Sequence, residues 1–156
     1  MATAAEGARR WSGLAWLGTA LFERLGAWSA DGADPSSAPA LASLGRRLGE
    51  HVAWWQDLVP DSVLLAGDVH DGPVHPGVAD LVAALDGVPA ADRLAVAGAV
   101  ADGLVADLER LAEDLDAVAD APARRVLRLV LADLEDRPAA DGATFGALDG
   151  ARPLTG

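Results

Sequence analysis

An all-α fold is what this sequence predicts, and three observations carry the expectation. Apolar residues recur at spacings of three and four along most of the chain, the period of one helix face. No segment alternates apolar and polar residues at period two, as a half-buried strand would. Gly, Pro and Asp gather between the periodic stretches, where turns are needed. Four main amphipathic stripes bury best against one another, so the architecture expected is a four-helix bundle with one long crossing loop and a short extra helix.

The elements follow in order. Residues 1–8 are small and unpatterned and read as a flexible arm. Leu14, Leu17, Leu21, Leu25 and Trp28 form the seam of a first helix. Residues 31–37 are a turn by composition, and Pro39 suits the first turn of a second helix. Leu41, Leu44, Leu48, Val52, Trp55 and Val59 are its seam, and Pro60 stops it. Gly45 and Gly49 fall on nearly one side of that helix. Glycine inside a helix costs roughly 1 kcal/mol against alanine, so a close helix approach is the reason expected for them. Residues 60–77 read as a long loop, followed by a short helix from Val78 to Leu85. The clearest helix carries Leu94, Ala97, Ala101, Leu104, Leu108, Leu111, Leu115 and Val118 on one face. Asp120 and Pro122 suit the cap and first turn of a last helix, whose apolar side is Val126, Leu127, Val130 and Leu134. Pro138 ends it. The domain expected is thus 9–137, with 138–156 a flexible tail.

Composition narrows the function. At 156 residues, about half of them apolar, the chain suits one domain with one core. It has no Cys, hence no disulfide and no thiolate chemistry. Its net charge of −12 repels phosphate backbones and anionic headgroups, which argues against nucleic-acid and membrane partners. The pairs Arg9-Arg10, Arg46-Arg47 and Arg124-Arg125 lack the interleaved aromatics of a nucleic-acid surface. Arg9-Arg10 before the apolar run from Trp11 to Phe22 outlines a signal peptide. Glu23 and Arg24 oppose it, and the helical spacing continues to Trp28, so a cytoplasmic protein is expected. No Gly-rich phosphate loop or nucleophile elbow is present.

Leu21-Phe22-Glu23 in the first helix resembles a family of small, largely uncharacterised actinobacterial proteins of ferritin-like fold. So do Glu50-His51-Val52-Ala53-Trp54-Trp55 in the second and residues 125–133 in the last. The resemblance spans roughly residues 10–136 and implies a ferritin-like bundle. Ferritin-like carboxylate proteins hold two metals with Glu from two helices and Glu-x-x-His from two others. This sequence has no Glu-x-x-His. Where relatives tend to place a further His after the position of His51, it has Trp54 and Trp55.

Several residues could carry chemistry. Glu23 matches a ligand position by resemblance, yet helical rotation puts it opposite the apolar seam, where a solvated Glu is expected. His51 lies at the seam's edge and reads first as a partly buried neutral ring with one hydrogen bond, second as a metal ligand or proton-transfer group. Asp133 falls inside an apolar arc, so it needs a cation, a partner, protonation or a frayed helix end. Asp102, Glu109, Glu113 and Asp116 form an acidic stripe that reads as a solvated face, with Glu109 and Glu113 as possible ligands. Asp68, His70, Asp71 and His75 bring ligand types for zinc or iron into one loop, although Gly72-Pro73 already explains a turn there. Of five Trp, Trp16 and Trp54 sit off their seams; with Trp55 they are candidates for a pocket or subunit contact.

The function expected is a binding or self-assembly module, a homodimer, whose metal site is degenerate or absent and which needs no cofactor. One alternative is an iron-dependent oxidoreductase using Glu23, His51, Asp133 and Glu109 or Glu113. Another is a carrier of a small apolar ligand; a protein partner is possible in the leading case.

Overall fold

The computed structural model describes residues 3–69 and 71–137 and is all-helical, with no strand among the described residues. Five α-helices follow in order: α1 (Ala4–Ala30), α2 (Ala38–Asp57), α3 (Pro76–Ala84), α4 (Arg93–Asp114) and α5 (Ala121–Glu135). A 3-10 turn at Val63–Leu65 lies within the long loop, and two more flank the α3–α4 junction. No helix among the described residues is long and apolar enough to cross a membrane.

Residues 4–8 are the first turns of α1 and not an arm. Thr3 accepts from the Glu6 N–H while the Glu6 carboxylate accepts from the Thr3 N–H, a capping box that satisfies two otherwise orphaned donors. Ala8 is fully buried, so this start belongs to the core. The helix runs unbroken through Glu23 and Arg24 to the turn at Gly32, whose φ of 72° favours glycine.

At the far end, α4 stops at Asp114, before the expected Val118, which is 85% exposed. Asp116 explains the stop. Its side chain accepts from the N–H groups of Val118 and Ala119, offering the backbone an alternative to another helical turn. Asp120 does precede α5, but its carboxylate accepts from the Asp116 N–H across this turn and not from the first turn of α5. The segment 138–156, expected to be a tail, lies outside the described residues.

Packing runs through close backbone approaches. A Cβ on Gly45 would sit 3.1 Å from Leu25 Cβ, and one on Gly49 2.8 Å from the Phe22 ring. The two glycines therefore admit α1 against α2, as their spacing predicts. Gly18 does the same from the α1 side, where a Cβ would lie 2.9 Å from Val52 and 3.2 Å from the Leu48 carbonyl. Across α1–α2, low numbers meet high ones: Gly18 faces Val52, Leu25 faces Gly45, and Trp11 stacks on Trp55. The pair is antiparallel. Arg93 at the start of α4 pairs with Asp31 and lies over Trp28 at the end of α1, so α4 runs against α1. Arg137 pairs with Asp102 and Arg124 reaches the Leu115 carbonyl, so α5 runs against α4. The four long helices thus run up, down, down and up, and the loop with α3 supplies the crossing between the two parallel members. One core joins them, with Leu17, Leu21, Leu41, Leu108, Leu127 and Leu134 fully enclosed.

Candidate functional site

Two groups of chemistry-bearing side chains stand out, one closed and one open. The closed group joins α2 to α5. His51 is 1% exposed, and its Nε2 lies 2.7 Å from Asp133 Oδ2. A carboxylate can only accept, so Nε2 carries the proton and donates. Arg47, one turn earlier on α2, donates to Asp133 Oδ1 at 3.1 Å and to the Asp133 backbone carbonyl at 2.5 Å. It also lies 3.7 Å from Asp136. Trp54 stacks beside the imidazole, with ring centres 5.2 Å apart. Burial holds the His51 ring below the ordinary histidine pKa, although the Asp133 hydrogen bond and charge pull the other way. The ring is therefore neutral at neutral pH. Asp133 finds the cation and partner that its position within an apolar arc requires.

The remaining bundle candidates do not join this group. Glu23, Glu109 and Glu113 are exposed, as is Asp116. Asp102 is exposed and pairs with Arg137. The acid that α4 does bury is Asp107, which pairs with Arg110 and which the sequence reading missed. Its spacing could have found it, because 107 lies three after Leu104 and four before Leu111, on the helix seam. Among the described residues no three His, Asp or Glu side chains come together as a metal site would require. The donor chemistry agrees. His51 and Asp133 are hydrogen-bonded directly to each other, and the Arg47 guanidinium occupies the carboxylate's second oxygen. The described residues do not fit a di-iron centre.

In the loop, Asp68 pairs with Arg9 at 2.5 Å and ties the loop to α1. His75 precedes α3 and is partly buried; Asp71 is exposed; His70 lies outside the described residues. The loop is also held at Gly13, where a Cβ would collide with Val74.

The open group lies between the outer sides of α1 and α2 and this loop. A cavity of about 400 Å³ there is lined by Trp16, Gln56, Val59, Val69 and Asp71, with Ala15 at its base. Trp16 is partly buried. Trp11 and Trp55 stack on each other, Trp54 on His51, and Trp28 under Arg93. Trp16 alone has no ring or guanidinium against its face among the described residues. The Gln56 amide and the Asp71 carboxylate likewise have no hydrogen-bond or ion-pair partner among them. A second groove of about 290 Å³ continues along the same side past Thr19 to Phe22, Arg46 and Gly49. Of the three tryptophans singled out from the sequence, Trp55 is core, Trp54 covers His51, and Trp16 opens to this surface.

No protein-family model, no curated protein and no solved structure matches this chain.

Proposed function

We propose that this chain is a ferritin-like four-helix bundle without a working metal centre, acting as a cytoplasmic binding and self-association module. Support for the fold comes from the up-down-down-up order with a single long crossing, the connectivity that ferritin-like bundles use. The observation that carries the functional reading is the closed Arg47–Asp133–His51 contact. A catalytic metal would need His51 and Asp133 as free donors; here they serve each other, and a guanidinium supplies the positive charge. Self-association follows from the outer side of α1 and α2. Phe22 is 47% exposed there, beside the groove that runs past Thr19 and Gly49. An isologous contact at the Phe22 end of this side would bury that ring in both copies at once.

Elemental analysis of protein made in iron-supplemented medium, with light scattering on the same sample, tests the reading. The expected result is a dimer with well under one iron or zinc per chain. Near-stoichiometric metal that His51→Ala or Asp133→Ala abolishes would replace this reading with an iron-dependent oxidoreductase. A strict monomer at micromolar concentration would remove the self-association half.

A further inference from the structure

We infer that the cavity bounded by Trp16, Gln56 and Asp71 is a binding site for a small organic cation, a protonated amine carrying a flat or branched apolar body. This rests on the binding-module reading and names the ligand class it would serve. Trp16, Gln56 and Asp71 line one cavity, and each offers a ligand something different. Trp16 lines the cavity while packing against the core, and its indole offers apolar surface for a flat or branched body. The Asp71 carboxylate offers acceptors and a full negative charge. The Gln56 amide offers both a donor and an acceptor. Ala15, Val59 and Val69 supply the apolar contact that a hydrocarbon body needs.

Charge selects among ligands that would fit. Among the described residues no Arg lines the cavity, so none of them neutralises an anion there. Two of the loop's acids, Asp68 and Asp71, divide in an informative way. Asp68 is paired with Arg9 and holds the loop in place, while Asp71, three residues on, is left open at the cavity rim. A chain of net charge −12 raises the local concentration of cations around it and lowers that of anions. The volume lies within the range of small-molecule sites. A ligand with an ammonium toward Asp71 and Gln56 and its apolar body on Trp16 meets every open group at once.

The test uses the full chain and phenethylammonium as probe, with 2-phenylethanol as the neutral analogue and 3-phenylpropionate as the anion. The indole N–H resonance that disappears in Trp16→Phe reports on the site. Phenethylammonium should shift that resonance saturably. It should bind about two- to fivefold tighter than the alcohol, given one surface ion pair, and the anion should not bind. Asp71→Asn, in an exposed loop, should erase the preference for the cation. Asp61→Asn removes the same charge outside the cavity and should leave the preference intact. Equal affinity for alcohol and amine, equal loss in Asp61→Asn, or no saturation in the millimolar range overturns the inference. None of those outcomes touches the metal content or the dimer, so the module reading stands or falls separately.

Discussion

His51, Asp133 and Arg47 lie at the contact of α2 with α5 and hydrogen-bond to one another. Trp16, Gln56 and Asp71 lie on the outer side of α1 and α2, and none has a hydrogen-bond partner among the described residues. Burial explains the difference. His51 is 1% exposed, and an unmet donor there would carry its full desolvation penalty. Asp71 and Gln56 are exposed, so water satisfies them until something replaces it. A buried polar cluster in this molecule is thus best read as part of the fold, however much its residue types suggest catalysis. An exposed one with open groups around a cavity is where binding is to be sought.

The largest expected effect breaks the closed cluster. Asp133→Ala leaves His51 without its acceptor and leaves Arg47, whose side chain is 16% exposed, with only the backbone carbonyl of residue 133 and Asp136. Breaking a buried charged contact from one side costs about 3–5 kcal/mol, and Asp133 is about one third exposed, so about 2–3 kcal/mol is expected. Asp71→Ala should stay within about 0.5 kcal/mol of the parent, as surface changes do. Urea unfolding measures both. If the two variants lose similar stability, the distinction between the clusters collapses.

The next effect separates two glycines at the same helix contact. Gly18→Ala puts a methyl group 3.2 Å from the Leu48 carbonyl, backbone that cannot move aside, and 2.9 Å from Val52. Overpacking of that kind costs about 1–3 kcal/mol, offset by roughly 1 kcal/mol of better helix propensity, so a net loss is expected. Gly49→Ala meets only the Phe22 ring, which is half exposed and free to swing outward. Its propensity gain should then cancel the strain and leave stability near the parent's. Thermal melts of the pair decide it; a larger loss at Gly49 would show that Phe22 is locked over α2.

How legible this was in the sequence depended on whether a signal was local. Helix seams, Pro39 and Pro122 in first turns, and the glycines of α2 all act within a few residues, and they pointed to the observed elements. The capping box at Thr3 and Glu6 was equally local but was passed over because residues 1–8 carry no apolar period. The end of α4 misled for a related reason: Val118 keeps the period, but Asp116 competes for the backbone and wins. Asp133 was recognisable as an acid in an apolar arc. Its partners were not, because Arg47 and His51 lie more than eighty positions away and only the packing of α5 on α2 brings them near. Asp107 was hidden among more conspicuous acids on α4. Trp16 was recognisable as a pocket candidate from its place off the seam, but Gln56 and Asp71 as its neighbours were not, since that needs the fold of the loop over α1 and α2.

The smallest effect, and the sharpest test of the closed cluster, is its pH dependence. Burial is the leading influence on His51 and lowers its pKa in the folded chain, while Asp133 and Glu50 raise it and Arg47 lowers it. With the folded pKa below the unfolded value of about 6.5, the unfolded chain binds the proton more readily. The stability tied to the neutral ring is therefore complete above about pH 6.5 and declines as the pH falls from there toward the folded pKa. His51→Gln keeps an N–H that can donate to Asp133 but does not titrate. Between about pH 6.5 and 5 the parent should lose stability more steeply than this variant. The carboxylates of Glu6, Asp31, Asp34 and Asp116, held low chiefly by backbone or side-chain hydrogen bonds, lose their contributions only at lower pH, through the carboxyl range. They are common to both proteins, so they drop out of the difference. Urea midpoints across that range give the comparison. Parallel curves would mean that burial and the Asp133 contact cancel. A steeper fall in the variant would mean that the contact outweighs burial, making His51 and Asp133 an ion pair in the folded chain.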